Sequence, residues 1–449
     1  MGRPSVRPDI DFTTIFSGSP DTGERVGLEL ECGLVDPRTG RSAEYGGPDG
    51  ASALIRTIIA EFDARPIHDA GYLMGARLPD GAEFSLELGG ALEYASRPVT
   101  SLMDLVRDTR RDLQAVSELA GCISLAILPS GLLPFTPVHR IPWIPKPRVG
   151  IMRDYFRDLG PAAAEAEAVM GLSLSAQTTL DYLSEEDFRE KLRLLVLVSP
   201  IAAAMFVNSP LENGEATGVM SRRMQMWRRV DPARCGVLDF AVQPDYSVGD
   251  LVDWAMRLPM IYRGRGGGHL RAPDRPFAEL VAAGFDDGER PGADDWTSHL
   301  SQVWPHVRAR RTLEVRASDG LNWPDFAAAP AFWAGLTYHP PARRAALALL
   351  DGVTSAELEE ATGDIATHGL AARVGRRCVG ELAGQLLGLA QDGLRARVEA
   401  KIEPPEVLDL LDPLTEVIRT GVTFAERCVE DWTGRLRGRP EALVREYQV

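Results

Sequence analysis

Two stretches of this chain alternate glutamate with apolar residues at a period of two, and this alternation constrains the fold more than any other feature. Residues 26–35 place Glu29 and Glu31 on one face and apolar side chains on the other. Residues 83–88 repeat the pattern, and residues 92–95 resume it after a pair of glycines. Strands with one apolar and one polar face are typical of antiparallel sheets. We therefore expect these segments to be strands of one largely antiparallel sheet.

The remaining segments predict strands separated by helices. Further strands are predicted at 122–128, 172–182 and 312–316, and helices at 101–119, 184–198, 248–257, 277–283 and 294–303. From about Pro340 the chain is rich in Ala, Leu and Arg and reads as almost wholly helical. The fold class predicted is α+β, with a core over residues 1–339 and a helical C-terminal region over residues 340–449 that packs on it.

Composition excludes several classes of protein. The 449 residues carry a net charge of −15, which argues against a protein that binds nucleic-acid phosphates through bulk charge. No apolar run is long enough to span a membrane, and the N-terminus lacks the apolar segment of a secretory signal. The five cysteines include no CxxC pair, so neither a disulfide framework nor a zinc site is indicated. We expect a cytoplasmic protein.

The glutamates that interrupt the apolar strands are the strongest chemical signal. They are Glu29, Glu31, Glu87, Glu93 and Glu314. Several carboxylates on one sheet face repel each other unless cations neutralise them, and Mg²⁺ prefers such oxygen ligands. Mg²⁺ held by these strands would suit phosphoryl transfer. The alternative is a sheet with one solvated face, which explains any single glutamate better but the whole set less well.

Arginine-rich stretches accompany the acidic set. Planar guanidinium groups suit bidentate contact with carboxylate or phosphate. Arg316 lies two residues from Glu314 on the same strand face, so it could meet a phosphate whose metal Glu314 holds. For Arg223 and Arg316 a binding role and a structural role weigh about equally. A solvated helix surface explains the other arginines of these stretches better: Arg228, Arg229, Arg310 and Arg311.

Other catalytic motifs are missing from the sequence. The chain has no GK pair, so a P-loop mechanism is excluded, and it has no GxSxG nucleophile elbow. The seven histidines show no metal-ligand spacing.

The motifs as a set resemble one family. RVGLELECG and FSLELGGALEYAS resemble the strands of glutamate–cysteine ligases of the plant and proteobacterial type. The resemblance continues through IPWIPKPRVGIMRDYF, QTTLDYLSEEDFREKLRLLVLVSPIAAAMFVNSP, GVMSRRMQMWRRVDPARCG, WTSHLSQVWPHVRARRTLEVRASDG, PAFWAG and TEVIRTGVTFAERC. It covers the chain from about Glu24 to Trp432.

The resemblance implies an ATP- and Mg²⁺-dependent ligase. Such a ligase activates the side-chain carboxylate of L-glutamate as γ-glutamyl phosphate, which the amine of a small amino acid then attacks. The implied fold is a curved, largely antiparallel sheet that forms an active-site funnel flanked by helices. The implied partners are small molecules only, with no nucleic acid and no membrane, and the chain would be a monomer or homodimer.

The resemblance also implies roles for individual residues. Glu29, Glu31, Glu87, Glu93 and Glu314 would be Mg²⁺ ligands, with Glu31 and Arg316 as catalytic residues. Arg316 would contact the ATP phosphates. Substrate binding would fall to Arg223, Trp227, Gln177 and Thr179.

Four departures from the family pattern leave the acceptor open. Leu172-Ser173 stands where plant-type members have Arg-Thr, Thr179 stands for Asn, Cys32 for Lys and Ala91 for Gln. We expect these positions to surround the substrate end of the sheet. The acceptor is then cysteine or, as the alternative, another small amino acid or amine of specialised metabolism. A catalytically silent metal- or nucleotide-binding relative is a third hypothesis, against which the intact glutamate set argues.

Overall fold

A nine-stranded sheet organises the protein, whose computed structural model describes residues 11–18 and 23–449. Its strands are β1 Val26–Val35, β2 Arg65–Asp69, β3 Tyr72–Arg77, β4 Glu83–Leu86, β5 Leu92–Ala95, β6 Ala126–Pro129, β7 Ala176–Leu180, β14 Val307–Ala309 and β15 Leu313–Val315. The order is β14-β15-β7-β1-β5-β4-β3-β2, and β6 also pairs with β1. Every pairing in this sheet is antiparallel, which confirms the predicted class of sheet.

Short strands form two-stranded ribbons outside the main sheet. They are β8 Leu211–Glu212, β9 Glu215–Ala216, β10 Cys235–Gly236, β11 Tyr262–Arg265, β12 Gly268–Arg271, β13 Trp304–Pro305, β16 Arg373–Val374 and β17 Arg377–Cys378. The pair β10–β13 is parallel and lies near the arginine-rich segments, whereas the other three pairs are antiparallel hairpins.

Helices surround the sheet. They are α1 Ala51–Phe62, α2 Leu102–Cys122, α3 Pro147–Leu159, α4 Ala166–Leu172, α5 Glu185–Ala203, α6 Arg222–Trp227, α7 Val248–Arg257, α8 Phe277–Ala283, α9 Ala293–Leu300, α10 Ala328–Tyr338, α11 Pro340–Leu349, α12 Ser355–His368, α13 Val379–Glu399, α14 Asp412–Thr420, α15 Phe424–Thr433 and α16 Pro440–Tyr447. In the described part of the chain no helix is long and apolar enough to cross a membrane.

The apolar face of the sheet is covered by helices, which leaves the polar face free to form a site. Leu28 and Leu30 of β1 are buried, as are Phe84 of β4 and Leu180 of β7. Helices α1, α2, α5 and α10 pack against the strands of the sheet. The glutamates of β1 alternate with these leucines and therefore point the other way.

The C-terminal region is helical, as predicted, apart from the β16–β17 hairpin. Helix α13 packs against α10, and buried residues from both belong to one hydrophobic cluster. The proposed boundary at residue 340 falls between α10 and α11, within that continuous core. The division of the chain into two regions stays a prediction.

Several sequence-based element predictions are corrected. Residues 122–128 were expected to be a strand, but α2 ends at Cys122 and β6 begins at Ala126. The strand expected over residues 172–182 is shorter, because Leu172 ends α4. The side chains of Ser184 and Thr423 accept backbone hydrogen bonds and cap the starts of α5 and α15.

Candidate active site

Glu29 and Glu31 of β1 lie at the centre of the polar face. Glu31 lies directly opposite Glu93 on β5, and Glu29 lies opposite Gln177 on β7. One oxygen of Glu31 accepts a hydrogen bond from Ser175 Oγ at 2.7 Å, and the other accepts one from Gln177 Nε2 at 3.2 Å. The Glu31 carboxylate is thus oriented from the β7 side, while β5 presents a second carboxylate to it.

The turn between β4 and β5 brings Glu87 to the same face. Glu87 N donates to Ala91 O and Gly90 N donates to Glu87 O, both at 2.8 Å. Gly90 has φ +86°, and a Cβ at Gly89 would overlap the backbone of Gly171. Both positions therefore require glycine. The glycine pair that interrupts the second alternating segment therefore allows the tight turn that brings the Glu87 side chain to the site.

These carboxylates line a cavity of about 280 Å³, here called the carboxylate cavity. Its acidic residues are Glu29, Glu31, Glu87 and Glu93. Arg148, Arg308 and Arg316 also line it, together with Gln177, Ser173, Tyr262 and the apolar side chains of Met152, Val169 and Met170. Acidic and basic groups therefore face a common space large enough for a small ligand.

Burial and mutual repulsion raise the pKa of three of these acids. Burial, followed by repulsion from Glu314, raises the pKa of Glu29 to about 7. Burial and the neighbouring Glu87 raise the pKa of Glu31. Burial, together with repulsion from the other cavity glutamates, raises the pKa of Glu93 well above its ordinary value. A cation would relieve this repulsion by favouring the charged forms.

Glu87 behaves differently because basic groups lie beside it. Burial alone would raise the pKa of Glu87, but Lys146, Arg148 and Arg316 outweigh burial and lower it. Lys146 Nζ itself is held by the backbone carbonyl of Leu86. Glu87 is therefore a carboxylate at ordinary pH, next to the acids that resist ionisation.

The donor set fits Mg²⁺ in its chemistry. Carboxylate oxygens are the ligands that Mg²⁺ takes, and burial with mutual repulsion outweighs the nearby basic groups and raises the pKa of Glu29, Glu31 and Glu93. Within residues 11–18 and 23–449, however, no three His, Cys, Asp or Glu side chains are grouped closely enough to hold a metal ion. Waters and substrate phosphates would have to complete the coordination, which is how Mg²⁺ is usually bound.

Glu314 on β15 is enclosed by arginines. It accepts hydrogen bonds from Arg308 Nη2 at 2.8 and 2.9 Å and from Arg310 Nη2 at 3.2 Å, and it pairs with Arg316. Burial would raise the pKa of Glu314, but the three arginines lower it to about 2. Arg310 was expected on a solvated helix and instead lies in the β14–β15 turn. Because guanidinium groups occupy both oxygens of Glu314, its role as a Mg²⁺ ligand stays a prediction.

A second cavity of about 330 Å³, here called the arginine cavity, adjoins the first. Its basic residues include Arg223, Arg228 and Arg316. Trp227, Trp304 and Arg316 line both cavities, and the two indole rings lie 6.4 Å apart. Arg316 also donates from Nη1 to Gln177 Oε1 at 2.5 Å, which connects it to the floor of the carboxylate cavity.

Arg223 is buried and held by a polar network. It is 4% exposed, and its Nη2 donates to Arg316 O at 3.0 Å. Asp319 lies 3.7 Å from Arg223 Nη1 and accepts hydrogen bonds from Ser209 Oγ at 2.7 Å and Ser221 Oγ at 3.0 Å. Ser221 is also the N-cap of α6. The start of α6 is thereby fixed, and Arg223 with it.

The structure brings most of the predicted residues to the two cavities, but Thr179 and Glu314 line neither of them. Thr179 lies on β7 opposite Gly27 and Glu314, and it lines neither cavity. Arg228, expected to be solvated, lines the arginine cavity, whereas Arg229 pairs with Glu165 outside it.

The departures from the family pattern do not surround the substrate end of the sheet as expected. Cys32, Ala91 and Leu172 are buried in hydrophobic clusters, and none of them lines either of the two cavities. Cys32 alternates with Glu31 and so faces the apolar side of β1. Of these positions only Ser173 lines one of these two cavities, the carboxylate cavity.

Sequence reasoning missed several cavity residues. Arg148 and Trp304 belong to segments that carried the family resemblance but had no chemical pattern of their own. His306 and Glu359 line the arginine cavity. Glu359 comes from α12, where a helical sequence pattern cannot show which carboxylate meets a distant cavity.

Comparison with known proteins places this geometry in a family. The sequence model of glutamate-cysteine ligase family 2 matches residues 25–446. The chain belongs to this family. It is 31% identical over 413 residues to the chloroplastic glutamate–cysteine ligase of Brassica juncea, with 91% of this chain and 78% of that protein covered. The chloroplastic enzyme of Arabidopsis thaliana is also 31% identical, with 91% and 76% covered.

Solved structures show the same fold. Glutamate–cysteine ligase of Francisella tularensis, in complex with AMP, matches with a TM-score of 0.57 and 14% identity over 96% of this chain and 88% of that chain. A bifunctional glutathione synthetase of Pasteurella multocida matches with a TM-score of 0.52 and 16% identity over 97% and 53%. As a member of glutamate-cysteine ligase family 2, the protein is an ATP-dependent carboxylate–amine ligase.

Proposed function

We propose that the protein joins the γ-carboxylate of L-glutamate to the amine of L-cysteine, converting ATP to ADP and phosphate. The observation that carries this proposal is the adjacency of the two cavities. One is lined by carboxylates suited to a metal and its phosphates, the other by arginines suited to an anionic amino acid, and Arg316 lines both. A glutamate side chain held in the arginine cavity would meet a phosphate in the carboxylate cavity at Arg316.

The first step transfers the γ-phosphoryl group of ATP to the glutamate γ-carboxylate. Both reactants are anions, so catalysis consists mainly of charge neutralisation and positioning. Arg316 is buried among acids that keep its guanidinium charged, since Glu314 and Glu31 outweigh burial and raise its pKa. Glu29, Glu31, Glu87 and Glu93 would hold Mg²⁺, which would neutralise phosphate charge at that place.

The second step forms the amide. The acceptor amine attacks the γ-carbonyl carbon, the bond from that carbon to the phosphate oxygen breaks, and phosphate leaves with its electron pair. The amine loses a proton in the process. Trp227 and Trp304 lie between the cavities and would limit access of water, which would otherwise hydrolyse the acyl phosphate.

Cysteine is the proposed acceptor for a structural reason. Of the substitutions that left the acceptor open, only Ser173 lines the carboxylate cavity, whereas Cys32, Ala91 and Leu172 are buried in hydrophobic clusters and line neither cavity. The family relatives named above are glutamate–cysteine ligases.

An acceptor screen tests the proposal. ADP release is measured with L-glutamate, ATP and Mg²⁺ in the presence of L-cysteine, L-serine, L-alanine, glycine or L-2-aminobutyrate, with product mass determined in each case. The expected result is highest kcat/KM with L-cysteine and a product of γ-glutamylcysteine mass. Greater turnover of another amino acid would assign the acceptor to that compound. Absence of ADP release with every amine would contradict the ligase function itself.

We also propose a cytoplasmic location. All five cysteines are free, and three of them are partly or fully exposed: Cys122, Cys235 and Cys378. A thiol substrate likewise needs a reducing compartment. Cell fractionation with an antibody to the protein would test this location, and recovery outside the soluble cytoplasmic fraction would contradict it.

A further inference from the structure

Glu359 of α12 is a carboxylate in the arginine cavity that the proposed function has not used. The cavity is lined by Arg223, Arg228 and Arg316, and among the described residues Glu359 is the only acid in its wall. A space with several guanidinium groups and one carboxylate is the electrostatic complement of a zwitterion that carries an extra negative charge. L-Glutamate has that charge pattern.

Glu359 is held in place by the chain opposite. Its Oε1 accepts a hydrogen bond from Val237 N at 2.6 Å. Gly236, with φ +85°, allows this approach, because a Cβ there would overlap the carboxylate. In the described part of the chain Glu359 forms no ion pair, which leaves its charge available to a ligand.

The helix that carries Glu359 is fitted closely to the cavity wall. Gly363 lies one turn beyond Glu359 on α12, and a Cβ at that position would overlap the Arg228 guanidinium. Helices α12 and α6 are in contact, so this close approach brings Glu359 and Arg223 to the same cavity. The arrangement depends on the C-terminal helical region.

Several polar atoms of the cavity wall have no partner. Within the described residues, Arg223 Nε, Trp227 Nε1 and His306 Nδ1 are buried without a hydrogen-bond partner. Buried polar groups without partners are rare in native proteins and call for an explanation. Arg223 is 4% exposed and lines this cavity. A bound ligand with acceptor oxygens would provide partners for the Arg223 and Trp227 donors.

We propose that the arginine cavity binds the α-amino-acid end of L-glutamate, with Arg223 facing its α-carboxylate and Glu359 facing its α-ammonium group. This inference rests on the proposed function and adds the residue that selects an α-amino acid as donor. Removal of the α-amino group would leave Glu359 unpaired in the cavity, so donors without it are rejected.

The donor fits Glu359 better than the acceptor does, for a chemical reason. The acceptor amine must be uncharged to attack the acyl phosphate, and a neighbouring carboxylate stabilises the protonated amine instead. The α-amine of the donor has the opposite requirement. It has to stay protonated, because as a free amine it would attack the carbonyl carbon of its own activated γ-carboxyl group.

That internal attack defines a side reaction that Glu359 suppresses. The free α-amine of γ-glutamyl phosphate would attack the carbon of the γ-carboxyl group (Cδ) and close a five-membered lactam, 5-oxoproline. The bond from Cδ to the phosphate oxygen would break, phosphate would leave with the electron pair, and the nitrogen would lose one proton to solvent. Pairing of the ammonium group with Glu359 keeps the lone pair unavailable.

The test compares L-glutamate with glutarate, which lacks the α-amino group, in wild-type protein and Glu359→Gln. The amide oxygen of glutamine can still accept from Val237 N, so the fold should be retained, and Tm checks this. The matched control is Glu360→Gln, an exposed neighbour on the same helix. Donor binding is measured by calorimetry, and ADP release and 5-oxoproline are measured with and without L-cysteine.

In Glu359→Gln we expect L-glutamate to bind about tenfold more weakly or worse, with no loss of glutarate binding. In the absence of an acceptor, the amount of 5-oxoproline formed per ADP released should rise in Glu359→Gln. In Glu360→Gln this ratio should equal that of the wild type. An equal loss of binding affinity for both donors, or no loss of affinity for L-glutamate, would overturn the inference. If binding of L-glutamate depended on Glu359 but the wild-type protein released no ADP with any amine, the inference would stand and only the proposed function would be contradicted.

Discussion

Glu31 on β1 and Glu93 on β5 lie directly opposite each other, with both carboxylates on the polar face of the sheet. Like charges at directly opposed positions destabilise an antiparallel pair. Burial strengthens the repulsion between the two carboxylates, and it raises the pKa of both acids. A pairing that weakens the sheet is expected where a cation or substrate compensates it.

Replacement of Glu93 by glutamine should therefore stabilise the metal-free protein and weaken catalysis. At alkaline pH, where both acids ionise, we expect the free energy of unfolding in EDTA to rise by about 0.5–1 kcal/mol, because the opposed like charges are removed. The Mg²⁺ concentration for half-maximal ADP release should rise at least about tenfold. Glu83→Gln is the control, since Glu83 lies on β4 and pairs with Arg77 at the surface. A lower Tm with unchanged Mg²⁺ dependence would contradict the assignment.

The pKa of about 7 at Glu29 predicts how stability depends on pH. The folded-state pKa lies above the ordinary value of 4.5, so Glu29 contributes stability below that value and loses it as pH rises through about 7. Between about pH 5 and pH 8 the metal-free wild type should lose up to about 3 kcal/mol more than Glu29→Gln. Urea unfolding in EDTA measures this difference. Parallel pH profiles of the two proteins would show that Glu29 is not the group responsible.

Mutation of Arg316 to alanine separates a binding role from a structural one. Arg308 and Arg310 remain to pair with Glu314, so the fold should be retained. We expect kcat/KM for ATP to fall at least about a hundredfold, because a charge aimed at the transferred phosphoryl group is lost. Steady-state kinetics with circular dichroism checks both points. Unfolding of the variant would instead assign Arg316 to the core.

Asp319 should act on substrate binding through Arg223. Asp319→Asn keeps the shape of the network but removes the charge that lies 3.7 Å from Arg223 Nη1. We expect KM for L-glutamate to rise about tenfold with kcat little changed, and stability to fall by about 1–3 kcal/mol. Initial rates at varied L-glutamate test this, with varied ATP as the internal control. Equal increases in KM for both substrates would indicate a general structural defect.

Strand β1 matches the sequence-based prediction at both ends, and so does β5. Their alternation is unbroken, and the polar positions coincide with one face of the sheet. Strand β2 was not predicted, because Arg65–Asp69 is a largely exposed edge strand without such alternation. The segment 122–128 was predicted wrongly, since a short apolar run does not distinguish a helix end from a strand.

The candidate site was predictable in part for the same reason. A glutamate in an alternating strand must point away from the apolar core, so the polar face and most of its acids could be named from the sequence. The hydrogen-bond and ion-pair partners of each acid could not be named from the sequence. Glu314 appeared equivalent to Glu29, yet three arginines surround it because β14, β15 and their turn fold back on one another.

The sequence by itself determined the family, the antiparallel sheet and the carboxylate-bearing face, because alternation and motif order are properties of neighbouring residues. Only the tertiary structure decided that Cys32 and Ala91 are buried away from both cavities and that Arg316 lines both. It alone brought Glu359 from the C-terminal helices to the arginine cavity. Such contacts join residues distant in the chain, and their positions depend on how helices and sheet pack together.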